Sequence, residues 1–154
     1  MKPEWIVIHH SATRDSGTVS WDAIKRYHME VNGWQDIGYH YGVELVGDSY
    51  VVLFGRQPTV AGAHSKELNF NNKSLGVCLV GNFDEAPPPA EQLKAAAWIV
   101  KILMRTFGIP VERVIGHRDV GLMAGFDWKL GPQVYKSCPG SQFLMPAFLK
   151  MLAS

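Results

Sequence analysis

Hydrophobic positions along the chain form short runs and longer periodic segments, a pattern that predicts both strands and helices. Apolar runs without a breaker predict buried strands, and an alternating segment predicts a strand with one polar face. The predicted strands lie at 5–10, 38–45, 50–54, 75–80 and 114–117. The turn Gly47-Asp48 is expected to join the second and third of them as a hairpin.

Three segments have apolar residues at helical spacing. The predicted helices span 21–31, 90–107 and 142–152. Ser20 is a favourable N-cap for the first, and Gly108-Ile109-Pro110 ends the second. Residues 118–140 contain enough glycine and proline to predict a loop. This mixture of elements predicts the α/β or α+β class with one central sheet.

The composition indicates a folded domain and excludes several classes of protein. Of 154 residues, 47% are hydrophobic and 19% are charged, and the formal net charge is +1, which is not the composition of a disordered chain. No basic run indicates a nucleic-acid partner, and no apolar stretch approaches the roughly 18 residues of a membrane span. The first residues do not resemble a signal peptide, so we expect synthesis in the cytoplasm. We also expect a monomer.

Two of the predicted strands end in histidine, which is the first sign of chemistry in the sequence. His9 and His10 end the first strand, and His117 ends the last. Alternation along a strand places His9 and His10 on opposite faces, so only one of them can join a shared site, and the pattern does not say which. With Cys138 from the predicted loop, two imidazoles and a thiolate form a ligand set suited to catalytic zinc.

Six ordered motifs cover nearly the whole chain. They are Ile8-His9-His10-Ser11-Ala12-Thr13, Ile37-Gly38-Tyr39-His40-Tyr41, Gly62-Ala63-His64, the segment 72–83, Gly116-His117-Arg118-Asp119 and Lys136-Ser137-Cys138-Pro139-Gly140. This series resembles the type 2 N-acetylmuramoyl-L-alanine amidases, the family of amidase-type phage lysozymes and peptidoglycan recognition proteins. The resemblance implies one catalytic α/β domain over 1–154, in which helices flank a central mixed β-sheet and a zinc site lies at one edge of the sheet.

The resemblance also implies roles for single residues. The zinc ligands that it implies are His9, His117 and Cys138, which leaves His10 as a structural neighbour. Tyr39 and Lys136 match catalytic positions of the family, and the chemistry agrees, because amide hydrolysis passes through an oxyanion that needs a positive charge or a hydrogen-bond donor. We expect Lys136 to stabilise this oxyanion first and to donate a proton second. Tyr39 would orient the attacking water or donate a hydrogen bond from its phenol.

Further assignments from the resemblance fall in two loops. His64 lies in a motif that lines the substrate groove of the family, so we expect it to contact substrate, with Asn72 shaping the same groove. The segment between His117 and Cys138, residues 118–137, is longer than in the shortest family members, and the insert within it spans 121–132. Longer amidases use an aspartate as third ligand, which makes Asp127 a competitor of Cys138. We expect deletion of 121–131 to change the preference for stem peptides more than the metal content.

The implied activity is hydrolysis of the amide between N-acetylmuramic acid and L-alanine in peptidoglycan. The lack of a signal peptide and of a wall-binding domain fits a phage or prophage endolysin that acts on the cell wall after release through a membrane pore. A cytoplasmic amidase that recycles muropeptides is an alternative. So is a zinc-free module that binds peptidoglycan without cutting it. A phage lysozyme of this family also restrains its phage's RNA polymerase, and nothing in these residues indicates such a partner.

Overall fold

The computed structural model describes residues 1–14 and 21–154, and its central feature is a β-sheet. The strands are β1 (Trp5–His10), β2 (Tyr41–Val46), β3 (Ser49–Phe54), β4 (Ser74–Leu79) and β5 (Val114–Gly116). In the described residues these five strands form one sheet in the order β3-β2-β4-β1-β5. β1 runs parallel to β4 and β5, whereas β2 and β3 form the predicted antiparallel hairpin. The α/β class and the central mixed sheet are therefore confirmed.

Helices lie on both faces of the sheet. They are α1 (Trp21–Arg26), α2 (Ala90–Phe107), α3 (His117–Met123) and α4 (Met145–Ala153). α1 continues into a π-helical turn over Tyr27–Val31, which matches the predicted helix, while its Ser20 cap lies outside the described residues. α2 has the predicted bounds and ends at Gly108, whose φ of 65° favours glycine. No helix within the described ranges has both the length and the apolar character needed to cross a membrane.

α3 contradicts the prediction of one long loop over 118–140. This helix forms because the Asp119 carboxylate accepts a hydrogen bond from the Gly116 amide at 2.7 Å and thereby caps the first turn. The last predicted helix also begins later than expected, at Met145. The amide of Phe143 bonds to the carbonyl of Gly140 instead, which keeps this part of the chain in a turn.

The two faces of the sheet bury different side chains, and this division positions the site. Alternate residues of β1 and β4 pack with α2 and α4 in the main core, namely Ile6, Ile8, Leu75, Val77 and Leu79. The residues between them, including Val7 and Cys78, belong to clusters on the other face, with Val120 of α3 and Trp21 of α1. Because β1 and β5 are parallel neighbours, their carboxyl ends meet at one rim of the sheet.

Candidate metal centre and active site

His9, His117 and Cys138 converge at this rim of the sheet. Their ligating atoms all lie within 4.8 Å of one another, and the three residues are only 1%, 7% and 8% exposed. Sγ of Cys138 lies 3.6 Å from Nδ1 of His9, and the ring centroids of His9 and His117 are 4.7 Å apart. Three distant parts of the chain thus bring potential metal ligands to one buried point.

The buried Arg118 fastens the loop that carries Cys138. Its guanidinium donates hydrogen bonds to the carbonyls of Ser137, Gly140 and Phe143. The planar fork of an arginine suits this arrangement, because several donors point in fixed directions. Main-chain carbonyls on both sides of Cys138 are therefore held by a single side chain.

Asp84 holds the same loop at a second point. Its carboxylate accepts hydrogen bonds from the hydroxyl of Ser137 and from the amide of Ser141, both at 2.8 Å. Partial burial raises the pKa of Asp84, but the hydrogen bonds from Ser141 and Ser137 outweigh it and leave the pKa below its ordinary value. Sequence reasoning missed this residue, and its position directly after the motif 72–83 was the signal available.

His9 has a hydrogen-bond partner on the side away from Cys138. Its Nε2 lies 2.9 Å from Nδ1 of His64, whose own Nε2 lies 3.3 Å from the carbonyl oxygen of Ser74. A carbonyl can only accept, so His64 donates from Nε2 and accepts through Nδ1 from His9. Burial lowers the pKa of His64 to about 3, which keeps this ring neutral. The lone pair on Nδ1 of His9 is then directed toward Cys138.

Burial sets the protonation states of the three candidate ligands. It lowers the pKa of His9 well below the ordinary value and that of His117 to about 4, so both imidazoles are neutral near pH 7. It raises the pKa of Cys138 to about 12, so this thiol ionises at neutral pH only beside a cation. Two neutral imidazoles and a thiol that a cation would deprotonate fit Zn²⁺ in number and in donor type.

Tyr39 lies beside the cluster and is half-buried. Its ring centroid is 5.2 Å from that of His9. Burial, followed by the nearby Cys78 and Cys138, raises the pKa of its phenol well above the ordinary value, so the hydroxyl is a neutral donor. Alternation along the predicted strand 38–45 would put Tyr39 and Tyr41 on the same face, but Tyr39 packs with Cys78 and Tyr41 packs in the main core. Strand alternation does not reach Tyr39, because β2 begins only at Tyr41.

Lys136 is exposed at the edge of the same cluster. Its positive charge adds to the effect of burial in lowering the pKa of His117. At Cys138 the same charge works against burial and lowers the pKa of the thiol. Both effects indicate that the ammonium group lies near these side chains.

The two predicted substrate contacts lie at different depths. His64 is buried against His9, and Gly76 leaves room for its ring, since a Cβ there would lie 2.7 Å from Cγ of His64. Asn72 is exposed, and its side-chain amide donates to Oδ1 of Asn69 at 2.6 Å. Substrate contact at both residues stays a prediction, to which the structure adds a hydrogen bond between His64 and His9.

Asn71 is a residue of this segment that the sequence analysis did not single out. Its side-chain oxygen accepts hydrogen bonds from the backbone amides of His64 and Ser65, each at 2.8 Å. The neighbouring Asn72 has the same side chain, so the sequence offered no reason to choose between the two. Asn71 fixes the backbone from which His64 reaches His9.

Two further residues named from the sequence lie outside the cluster. Nδ1 of His10 accepts a hydrogen bond from the amide of Phe83 at 3.1 Å, as befits a structural neighbour. Oδ1 of Asp127 accepts from the amide of Lys129 at 3.0 Å and caps the short helix Trp128–Leu130. The group of potential ligands in the described residues contains Cys138 and not Asp127.

Comparisons with known proteins agree with these features. Residues 1–141 match the family model described as N-acetylmuramoyl-L-alanine amidase. The chain is 40% identical over 132 residues to the endolysin of Escherichia phage T7, which covers 80% of this chain and 82% of that protein. The N-acetylmuramoyl-L-alanine amidase LysC from Clostridium intestinale URNW aligns with a TM-score of 0.78 over 99% of this chain and 86% of its own, at 24% identity. This likeness shows the fold alone.

A further solved structure contains a ligand. A point mutant of Drosophila peptidoglycan recognition protein LB in complex with tracheal cytotoxin aligns with a TM-score of 0.69 and 28% identity. The alignment covers 93% of this chain and 79% of that protein. The same fold therefore occurs both in amidases and in a recognition protein.

Proposed function

Because this chain belongs to the N-acetylmuramoyl-L-alanine amidase family, we propose that it is a zinc-dependent hydrolase of the bacterial cell wall. The bond cleaved is the amide that joins the lactyl group of N-acetylmuramic acid to the L-alanine of the stem peptide. The observation that carries the proposal is the convergence of His9, His117 and Cys138, whose ligating atoms lie within 4.8 Å of one another.

His9, His117 and Cys138 would hold the zinc. When bound, Zn²⁺ supplies Lewis-acid chemistry, which polarises a carbonyl and makes a water a stronger nucleophile. The chain itself supplies a rigid setting for the ligands, because His9 lies in a central strand and Arg118 and Asp84 fasten the loop of Cys138. Rigid support of this kind keeps reacting groups within the narrow range of productive positions.

Lys136 and Tyr39 would act on the charge that develops during hydrolysis. The ammonium of Lys136 influences the pKa of both His117 and Cys138, so it is near enough to face an oxyanion formed beside them. Its second task is to donate a proton to the departing amine. The neutral phenol of Tyr39 donates a hydrogen bond to the same oxyanion or holds the attacking water.

The substrate would approach from the side of the exposed residues. Lys136 and Asn72 are exposed, whereas the candidate ligands are buried. Asn72 is proposed to contact the stem peptide from the rim of the groove. His64 lies deeper, so its contact with substrate would be limited to the floor of the groove.

We infer that the protein is a phage or prophage endolysin that reaches the cell wall after its release. The 40% identity to the endolysin of Escherichia phage T7 over 80% of this chain supports this role. A second candidate is a recognition module that binds muropeptides without cleaving them. The likeness to a peptidoglycan recognition protein in complex with tracheal cytotoxin favours that alternative.

Mass spectrometry of reaction products tests the proposal. Purified sacculi and soluble anhydro-muropeptides are incubated with the protein as purified, after chelation, and after chelation followed by added zinc. We expect free stem peptides from sacculi, lost on chelation and restored by zinc. Intact muropeptides under all conditions would overturn the amidase proposal in favour of recognition. Release of stem peptides from anhydro-muropeptides but not from sacculi would overturn the endolysin role in favour of recycling.

A further inference from the structure

Each candidate histidine ligand, His9 and His117, has a polar side chain next to one of its ring nitrogens. Both of these side chains come from one short segment, residues 64–67. His64 is the partner of His9, with 2.9 Å between the ring nitrogens. Glu67, three residues later, places Oε2 at 3.9 Å from Nε2 of His117. Neither the motifs of the sequence nor the proposed mechanism assigns a part to Glu67.

Glu67 is held in position by Tyr135. The hydroxyl of Tyr135 donates a hydrogen bond to Oε2 of Glu67 at 2.9 Å. The tyrosine ring is itself fixed, since it stacks on Phe126 at an interplanar angle of 6° and meets the ring of His117 edge-on. Gly121 lies directly against it, and a Cβ at Gly121 would come within 2.3 Å of the ring. The carboxylate therefore has a defined place beside His117.

The chemistry of a metal-bound imidazole gives this arrangement its meaning. When one ring nitrogen binds a metal, the other carries a proton and needs an acceptor, which fixes the ring and raises its basicity. His64 is such an acceptor for His9, and Glu67 is the carboxylate that faces His117. At 3.9 Å the contact is longer than a hydrogen bond, and the two atoms would need to approach by roughly 1 Å to form one.

We propose that Glu67 is a positioning residue for His117 and that Tyr135 acts through Glu67. The segment 118–137 between His117 and Cys138 thereby has a part in metal binding, because it contributes Tyr135. Segment 64–67 then supports both histidine ligands, with His64 next to His9 and Glu67 next to His117. The inference rests on the proposed zinc site and adds to it the residues that orient the ligands.

Zinc affinity, measured by competition with a chromophoric chelator, tests this inference without reference to activity. We expect Glu67→Ala to raise the Kd for zinc about 10- to 100-fold, as for other outer partners of metal-bound histidines. Glu67→Gln should lose less zinc affinity, because the amide oxygen of glutamine still accepts a hydrogen bond. Tyr135→Phe should weaken zinc binding in the same direction by a smaller factor. Glu91→Ala is the matched control, an exposed carboxylate on α2 that pairs with Lys94.

The double variant Glu67→Ala/Tyr135→Phe separates a shared role from two independent ones. If Tyr135 acts through Glu67, the double variant binds zinc as Glu67→Ala does, to within about twofold. Full additivity of the two effects, or a Glu67→Ala affinity equal to that of the wild type, would overturn the proposal. Thermal unfolding of the metal-free variants checks folding, and Glu67→Gln tests the same contact if Glu67→Ala does not fold. A wild type without zinc affinity overturns the proposed function instead.

Discussion

The main-chain amide of Arg118 donates a hydrogen bond to the carbonyl oxygen of Cys138 at 2.7 Å. Arg118 directly follows His117, so one backbone bond ties together two candidate ligands that the insert separates in sequence. The side chain of Arg118 adds hydrogen bonds to carbonyls before and after Cys138. The separation of His117 and Cys138 is therefore set by the backbone and by a buried guanidinium.

Replacing Arg118 by lysine removes part of this attachment, because an ammonium cannot reproduce the planar fork. We expect Arg118→Lys to lower the free energy of unfolding by about 1–3 kcal/mol, the cost of leaving buried carbonyls unpaired. Urea unfolding of the metal-free protein measures the change. Arg105→Lys, exposed on α2, is the control without an expected effect. Equal stabilities of Arg118→Lys and the wild type would show that other contacts hold the loop.

The sheet and the places of the ligands could be predicted because they follow from local patterns. Apolar runs identified β1, which contains His9, and β5, which ends one residue before His117, and alternation separated His9 from His10. The bounds of α2 followed from helical periodicity and from Gly108. Hydrophobic periodicity reports which face of a strand or helix is buried. The strands and the bounds of α2 follow mainly from this local signal.

The outer contacts of the site could not be predicted in this way. His64 reaches His9, Glu67 faces His117 and Asp84 bonds to Ser137, and each pair joins residues about 50 or more positions apart. His64, Asp84 and Ser137 lie in loops, where polar residues follow no period. α3 escaped prediction because its cap is a single carboxylate, Asp119, in a stretch rich in glycine.

Removing the hydroxyl of Tyr39 should affect the reaction and not the metal. We expect Tyr39→Phe to lower turnover on purified sacculi by about 10²–10³, as for loss of a donor to a developing oxyanion. Zinc content should equal that of the wild type, because the ring that packs near His9 is kept. The exposed Tyr27→Phe serves as control. Wild-type turnover in Tyr39→Phe would remove Tyr39 from the mechanism.

Removing the charge of Lys136 should also lower turnover without loss of zinc. We expect Lys136→Ala to lower turnover by about 10²–10³, because the oxyanion loses the positive charge proposed to stabilise it. Turnover and zinc content are measured on the same preparations, and zinc should be retained. Lys129→Ala, which removes an exposed lysine of the insert, should leave both unchanged. A variant as active as the wild type would contradict the proposed role.

His40 should make the metal-free protein sensitive to acid. Its Nε2 lies 2.8 Å from the carbonyl of Val60, and its Nδ1 accepts from the amide of Gly76 at 3.0 Å, so a second ring proton would lose the latter bond. Burial lowers the pKa of His40 below the ordinary 6.5. As the pH falls below 6.5, the unfolded chain binds a proton that the folded chain excludes, and the free energy of unfolding decreases.

His40→Gln isolates this contribution. We expect the free energy of unfolding of the variant to depend less on pH between 6.5 and about 5, by up to roughly 1 kcal/mol per pH unit. Above pH 7 His40 is neutral in both the folded and the unfolded chain, so it does not make the free energy of unfolding depend on pH. Urea unfolding in the presence of a chelator measures the slope without a contribution from metal loss. The same slope in variant and wild type would contradict the argument.

Zinc content after removal of each thiol tests the central claim most directly. Cys138 and Cys78 are both buried free thiols, but only Cys138 belongs to the group of potential ligands in the described residues. Elemental analysis should find about one zinc per chain in the wild type and in Cys78→Ser, and less than about a tenth of that in Cys138→Ser, because serine does not supply a thiolate. Zinc at the wild-type level in Cys138→Ser, or its absence from the wild type, would contradict the account.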